Sequence, residues 1–143
     1  MVSMSLALKI LTRSLNVFHL AGSPCNNCDI EILDALTPKY DLERFGIVLV
    51  GSIKHADLIL LSGAFNRKAA QRAVRVFQSA PQPVAVVAFG NCACTGNMFR
   101  DSYNVDPPIW KQIPVNAWLA GCPPKPEALI SAAAKLIQKL RAA

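Results

Sequence analysis

Three short, unbroken apolar runs constrain the fold of this chain more than any other feature. Residues 47–50 (IVLV), 57–61 (DLILL) and 84–89 (VAVVAF) are too brief for buried helices, and glycines at 46, 51, 63 and 90 punctuate them. A strand that is apolar at every position needs cover on both faces, and sheets with helices on both sides provide it.

The segments between these runs supply the helices. Residues 29–36 (DIEILDAL) have helical apolar spacing and stop before Pro38; residues 66–79 alternate a basic, polar face with Ala70, Ala73, Val74 and Phe77. A last helix from Glu127, with Pro126 suited to the first turn, places Leu129, Ile130, Ala133, Leu136, Ile137 and Leu140 on one side. Residues 15–20 (LNVFHL) and 115–120 (VNAWLA) read as first and last strands, and residues 5–13 as a short amphipathic helix with Lys9 and Arg13 off its apolar face. Strands alternating with helices indicate one α/β domain over residues 1–143, with a mostly parallel sheet and the amphipathic segment at about 1–13. Ligands in such sheets bind beyond the carboxyl ends of the strands.

Composition narrows the setting. Apolar residues make up 52% of the 143 and charged residues 17%, a core-rich balance that leaves apolar surface for partners. No stretch approaches the roughly 18 apolar residues of a membrane span, and the N-terminus lacks a signal-peptide layout, so a cytoplasmic location is expected. The net charge of +6 is scattered, without the aromatic-interleaved stripe that single-stranded nucleic acid prefers, and nucleic acid is not an expected partner.

Five cysteines in an unexported chain point to metal or redox chemistry rather than disulfides. Cys25 and Cys28 form a C-x-x-C pair in a turn-rich segment, Cys92 and Cys94 flank one alanine in GNCACTGN, and Cys122 lies between Gly121 and Pro123. Cys25, Cys92 and Cys122 each follow an expected strand, so distant loops converge on one sheet edge. Four thiolates from three loops match an iron–sulfur cluster. A thioredoxin-like dithiol leaves three cysteines without a purpose, structural zinc favours two close pairs with wider spacing than Cys92-Ala93-Cys94, and inert cysteines belong inside strands or helices rather than in loops. Spacing alone does not choose between Cys92 and Cys94 as the third ligand.

The segments GSPCNNCDIEIL, LTPKYDLERFG, AFGNCACTGNMF and GCPPKPEAL occur in this order. Together they resemble the small, cluster-bearing subunit of energy-converting membrane-bound [NiFe] hydrogenases, a relative of the complex I 20 kDa subunit, from about Ser14 to Leu136. The resemblance implies a flavodoxin-like fold and one [4Fe–4S] cluster held by Cys25, Cys28, Cys92 and Cys122, with Cys94 a neighbour or a spare thiol. It also implies a nickel–iron large subunit, a ferredoxin-like iron–sulfur subunit and integral membrane subunits as partners, with the chain peripheral on the cytoplasmic face of the membrane. Its implied role is to pass single electrons between a ferredoxin-type relay and the nickel–iron site, without catalysis of its own. C-x-x-C favours the hydrogenase branch, since complex I relatives typically have two adjacent cysteines there. The alternatives are the equivalent subunit of a quinone- or sulfur-reducing complex without nickel, and a zinc-stabilised scaffold.

Several further residues stand out. Asp29 and Glu31 are candidates to face a partner's active site or proton path, although carboxylates near a helix start also suit the dipole. His19, in an apolar strand, reads as a satisfied core or interface histidine, and His55 as a loop residue. Arg44, Arg67, Arg72 and Arg100 are candidates for docking acidic partners or tuning a cluster, while Trp110 and Trp118 read as packing residues.

Overall fold

Alternate residues of the two central apolar runs serve two different cores, whereas in the run at 47–50 Val48 is exposed. In the computed structural model, which describes residues 14–105 and 108–142, five strands form one all-parallel sheet. The expected helix at 5–13 lies outside the described residues, as do the side chains of residues 136–142, among them Leu136, Ile137 and Leu140.

The strands are β1 (Leu15–Ala21), β2 (Ile47–Leu49), β3 (Leu58–Ser62), β4 (Ala85–Phe89) and β5 (Ala117–Leu119), in the order β2-β1-β3-β4-β5. This is the flavodoxin-like order, whose direction reverses between β1 and β3. Leu58 and Leu60 of β3, with Val87 and Phe89 of β4, turn to one face, where α1 (Asn27–Asp34) contributes Ile32 and α4 (Pro126–Ala142) contributes Leu129, Ile130 and Ala133. Ile59, Leu61 and Val86 turn to the other, covered by Ala70 and Ala73 of α2 (Arg67–Gln78) together with Ile109 and Ile113.

The register is fixed by polar clamps at the strand starts. Asp57 Oδ2 accepts from both the backbone N–H and the side-chain amide of Asn16, at 3.0 and 2.9 Å, which ties β1 to the entry of β3. Asn116 does the same for β5, its Oδ1 accepting from Val86 N and its own N–H donating to Val86 O, both at 2.8 Å. Ser62 lies beside Ala21 and Phe89 at the carboxyl end of the central strands.

The expected strand at 84–89 starts one residue later, at Ala85, and two further strands are shorter than their apolar runs: Val50 leaves β2, and β5 keeps only Ala117–Leu119. Both are edge strands with one neighbour each. α4 starts at Pro126 as expected.

Candidate metal centre

The loop after β1 carries Cys25 at the surface and is pinned to the end of β3. Gly22 N donates to Ser62 O (2.9 Å), Ser23 N to Ala64 O (2.6 Å), and the Asn66 side-chain amide to Ser23 Oγ (2.6 Å). Asn26 then adopts a left-handed conformation (φ 69°), a state asparagine tolerates better than most residues, and turns the chain straight into α1. The helix therefore starts at Asn27, earlier than the apolar pattern suggested, and Cys28 is buried in its first turn instead of lying on a loop.

GNCACTGN, expected as a loop, contains a third helix, α3 (Asn91–Thr95), numbered in chain order between α2 and α4. Gly90 (φ 86°) and Gly96 (φ 81°) bound it, so the chain enters and leaves within single residues. Two positions apart on a helix, side chains diverge by about 200°. Cys92 consequently shares its surroundings with Cys25, Cys28 and Cys122, whereas Cys94 turns beneath the helix, its thiol 3.6 Å from Ala88 O and 3.7 Å from Leu119 O.

Asn91 joins α3 to the last cysteine loop. Its N–H donates to Gly121 O and its Oδ1 accepts from Gly121 N, both at 2.8 Å, while Gly90 N donates to Leu119 O at 2.8 Å. Cys122 follows at the surface, joined to Pro123 by a cis peptide bond, with Pro124 buried behind it.

The electrostatics are those of thiols crowded together. Burial pushes the Cys28 thiol up to about 11, and the neighbouring Cys92, Cys25, Asp29 and Cys122 push in the same direction. Cys92 is raised by burial and by Cys122 and Cys25, against a lowering contact from the Asn97 amide. Cys94 is raised by burial, with no contribution from the other cysteines. Thiols raised as Cys28 and Cys92 are become thiolates most readily around a cationic core. The space for one is kept by Gly90, where a β-carbon would stand 2.6 Å from Cys28 Sγ. The donor set therefore fits a thiolate-bound metal cluster, although among the described residues no three His, Cys, Asp or Glu side chains are close enough to share a single metal ion.

A polar set that sequence reasoning missed lies beside Cys28. His19 was read as a satisfied histidine, and its partners are Ser62 Oγ at 2.8 Å and Asp29 Oδ1 at 3.1 Å; Ser62 Oγ donates to the same Asp29 oxygen at 2.7 Å. The available signal was a histidine and a serine interrupting or ending otherwise apolar runs. Glu31 is half-buried, and Arg44, Arg67, Arg72 and Arg100 are exposed. His55 ends a single 3-10 turn, and Trp110 meets Trp118 edge-on at 6.1 Å.

Residues 25–136 match the family model described as NADH ubiquinone oxidoreductase, 20 kDa subunit. A probable membrane-bound hydrogenase subunit of Pyrococcus furiosus is 42% identical over 132 residues, 92% of this chain and 79% of that protein. Formate hydrogenlyase subunit 7 of Escherichia coli is 42% identical over 123 residues, 86% of this chain but 48% of its own length. Among solved structures, a chain of the membrane-bound sulfane sulfur reductase, an archaeal respiratory membrane complex, superposes with a TM-score of 0.83 at 34% identity, covering 96% of this chain and 76% of that one.

Proposed function

The chain belongs to the NADH ubiquinone oxidoreductase 20 kDa subunit family, as a component of an oxidoreductase complex, and from that membership we propose that it is the electron-transfer subunit of a multisubunit membrane-bound [NiFe] hydrogenase. Cys25, Cys28, Cys92 and Cys122 hold one [4Fe–4S] cluster. Bound there, the cluster supplies one-electron transfer between a ferredoxin-type relay and the nickel–iron site of a large subunit. What supports the ligand set above all is the divergence of Cys92 from Cys94: one faces the other three thiols, the other faces backbone carbonyls.

The chain's own residues bind and shield. Asn91 and the paired prolines fix the Cys122 loop, and the buried Cys28 gives up its proton only when metal binds. Cys25 and Cys122 are exposed, and large apolar side chains are open on α1, which carries Cys28 (Ile30 and Leu33, 59% and 58% exposed), and after α3, which carries Cys92 (Met98 and Tyr103, 80% and 84%). Apolar side chains this open beside a redox centre suit contact with the large and ferredoxin-like subunits, which also keeps water from the cluster. No described helix is long and apolar enough to cross a membrane; the chain attaches peripherally, on the cytoplasmic face, to integral membrane subunits.

A second reading rests on the likeness to the sulfane sulfur reductase: the same cluster in a quinone- or sulfur-reducing complex without nickel. Metal analysis of the anaerobically purified complex, with the paramagnetic resonance spectrum of its reduced state, separates the readings. About four irons per chain at this site together with nickel supports the hydrogenase; iron without nickel supports the second reading; zinc without iron overturns both. Cys92→Ser is expected to lose the signal and Cys94→Ser to keep it.

A further inference from the structure

Among the described residues Ser62 is the one buried polar side chain, fully enclosed at the end of β3, where Leu58, Ile59, Leu60 and Leu61 of the same strand are all apolar. Packing alone would be served by alanine. The hydroxyl is too enclosed to meet a substrate, so a hydrolytic reading of His19, Ser62 and Asp29 fails on access. What the three residues do achieve is the fixing of one atom. Ser62 donates its proton to Asp29 Oδ1 at 2.7 Å, which leaves its oxygen to accept from His19 Nε2–H at 2.8 Å. The same N–H lies 3.1 Å from Asp29 Oδ1. The carboxylate is thus held toward the sheet from two sides, by strands β1 and β3, while its own backbone follows Cys28 in the first turn of α1.

The charge so held is not cancelled. Among the described residues His19 is the basic side chain within ion-pair distance of Asp29. Burial lowers the affinity of its imidazole for a second proton more than Asp29 raises it, so at neutral pH the ring is a neutral donor. The carboxylate's field already reaches the Cys28 sulfur.

We propose that His19 and Ser62 are positioning residues that fix the Asp29 carboxylate as an uncompensated negative charge beside Cys28, lowering the reduction potential of the cluster bound there. A fixed negative charge opposes the arrival of an electron, and local charge is among the levers that set iron–sulfur potentials. The inference deepens the cluster reading above and rests on it: a centre that hands electrons to protons has to be strongly reducing, and this carboxylate makes it more so.

The test is a redox titration of the cluster's paramagnetic signal in the purified complex, for wild type, Asp29→Asn, Ser62→Ala, His19→Gln and the Asp29→Asn/Ser62→Ala double variant. Asp29→Asn, a near-isosteric change, is expected to raise the midpoint by about 59 mV, a tenfold change in the one-electron equilibrium. Ser62→Ala and His19→Gln are expected to raise it by part of that. The double variant is expected to match Asp29→Asn alone, because the positioning residues act only through that charge. An unmoved midpoint in Asp29→Asn overturns the proposal, as does a Ser62→Ala shift that persists undiminished without the aspartate. If Ser62→Ala does not accumulate, Asp29→Asn and His19→Gln decide the matter. Wild-type complex without any cluster signal sinks the cluster reading itself, whereas a wild-type cluster with an unresponsive Asp29→Asn sinks this inference alone.

Discussion

One methyl group at position 90 is enough to fill the space between the cysteine loops. A β-carbon on Gly90 would stand 2.6 Å from Cys28 Sγ, on a backbone at φ 86° that L side chains rarely adopt. Gly90→Ala is expected to abolish iron binding while the far-ultraviolet dichroism of the sheet and helices persists; full iron content would show that the loop has room to move. His19 gives a second expectation at this scale. Burial holds its imidazole below the ordinary 6.5, against the pull of Asp29, so the unfolded chain takes up that proton more readily than the folded one. Its share of stability is complete above 6.5 and is lost as pH falls through 6.5 toward the folded value. The denaturation midpoint is expected to drop between about pH 7.5 and pH 5.5, less steeply in His19→Gln. The convergence of the three cysteine segments was legible in the sequence because turn-forming residues, glycines and prolines mark them, but the different settings of Cys92 and Cys94 were not, since spacing leaves the two equivalent. The His19–Ser62–Asp29 set was not, because it joins β1, β3 and α1, whose adjacency follows from strand order alone.

Strands and long helices were readable from their apolar periods, and the elements that carry the site were the ones misjudged. α3 has five residues, too few for any period to show, and its glycine-rich sequence reads as a loop until both glycines are seen at its ends with positive φ. α1 begins where Asn26 turns left-handed, a conformation that apolar spacing does not encode. The coupling between α3 and the Cys122 loop depends on Asn91, whose Oδ1 accepts from Gly121 N at 2.8 Å. Asn91→Ala leaves that half-buried N–H without its partner, at a cost of about 1–3 kcal/mol. The variant is expected to melt earlier and, more tellingly, to lose iron faster to a chelator than wild type. Equal rates would mean that the prolines hold the loop unaided.

Among the described residues, several large apolar side chains stand open, Phe45 and Trp118 among them. Ile30 and Leu33 are open on α1, the helix that carries Cys28, and Met98 and Tyr103 are open in the chain after α3, the helix that carries Cys92. Ile30→Asp combined with Leu33→Asp is expected to release the chain from the large subunit proposed above during purification without lowering its own iron content; an intact complex would place the contact elsewhere. The sequence pattern foresaw apolar surface but not its location, since the outward residues of α1 share the helical period of the inward ones. The strand order has a further consequence, and it is one of timing. Among the described strands, Cys25 follows the first and Cys122 the last, with the Cys92 helix clamped to Gly121. On the ligand set proposed above, a chain that has not yet made β5 and the loop after it offers three of the four thiols, so a complete site requires the last strand to be in place.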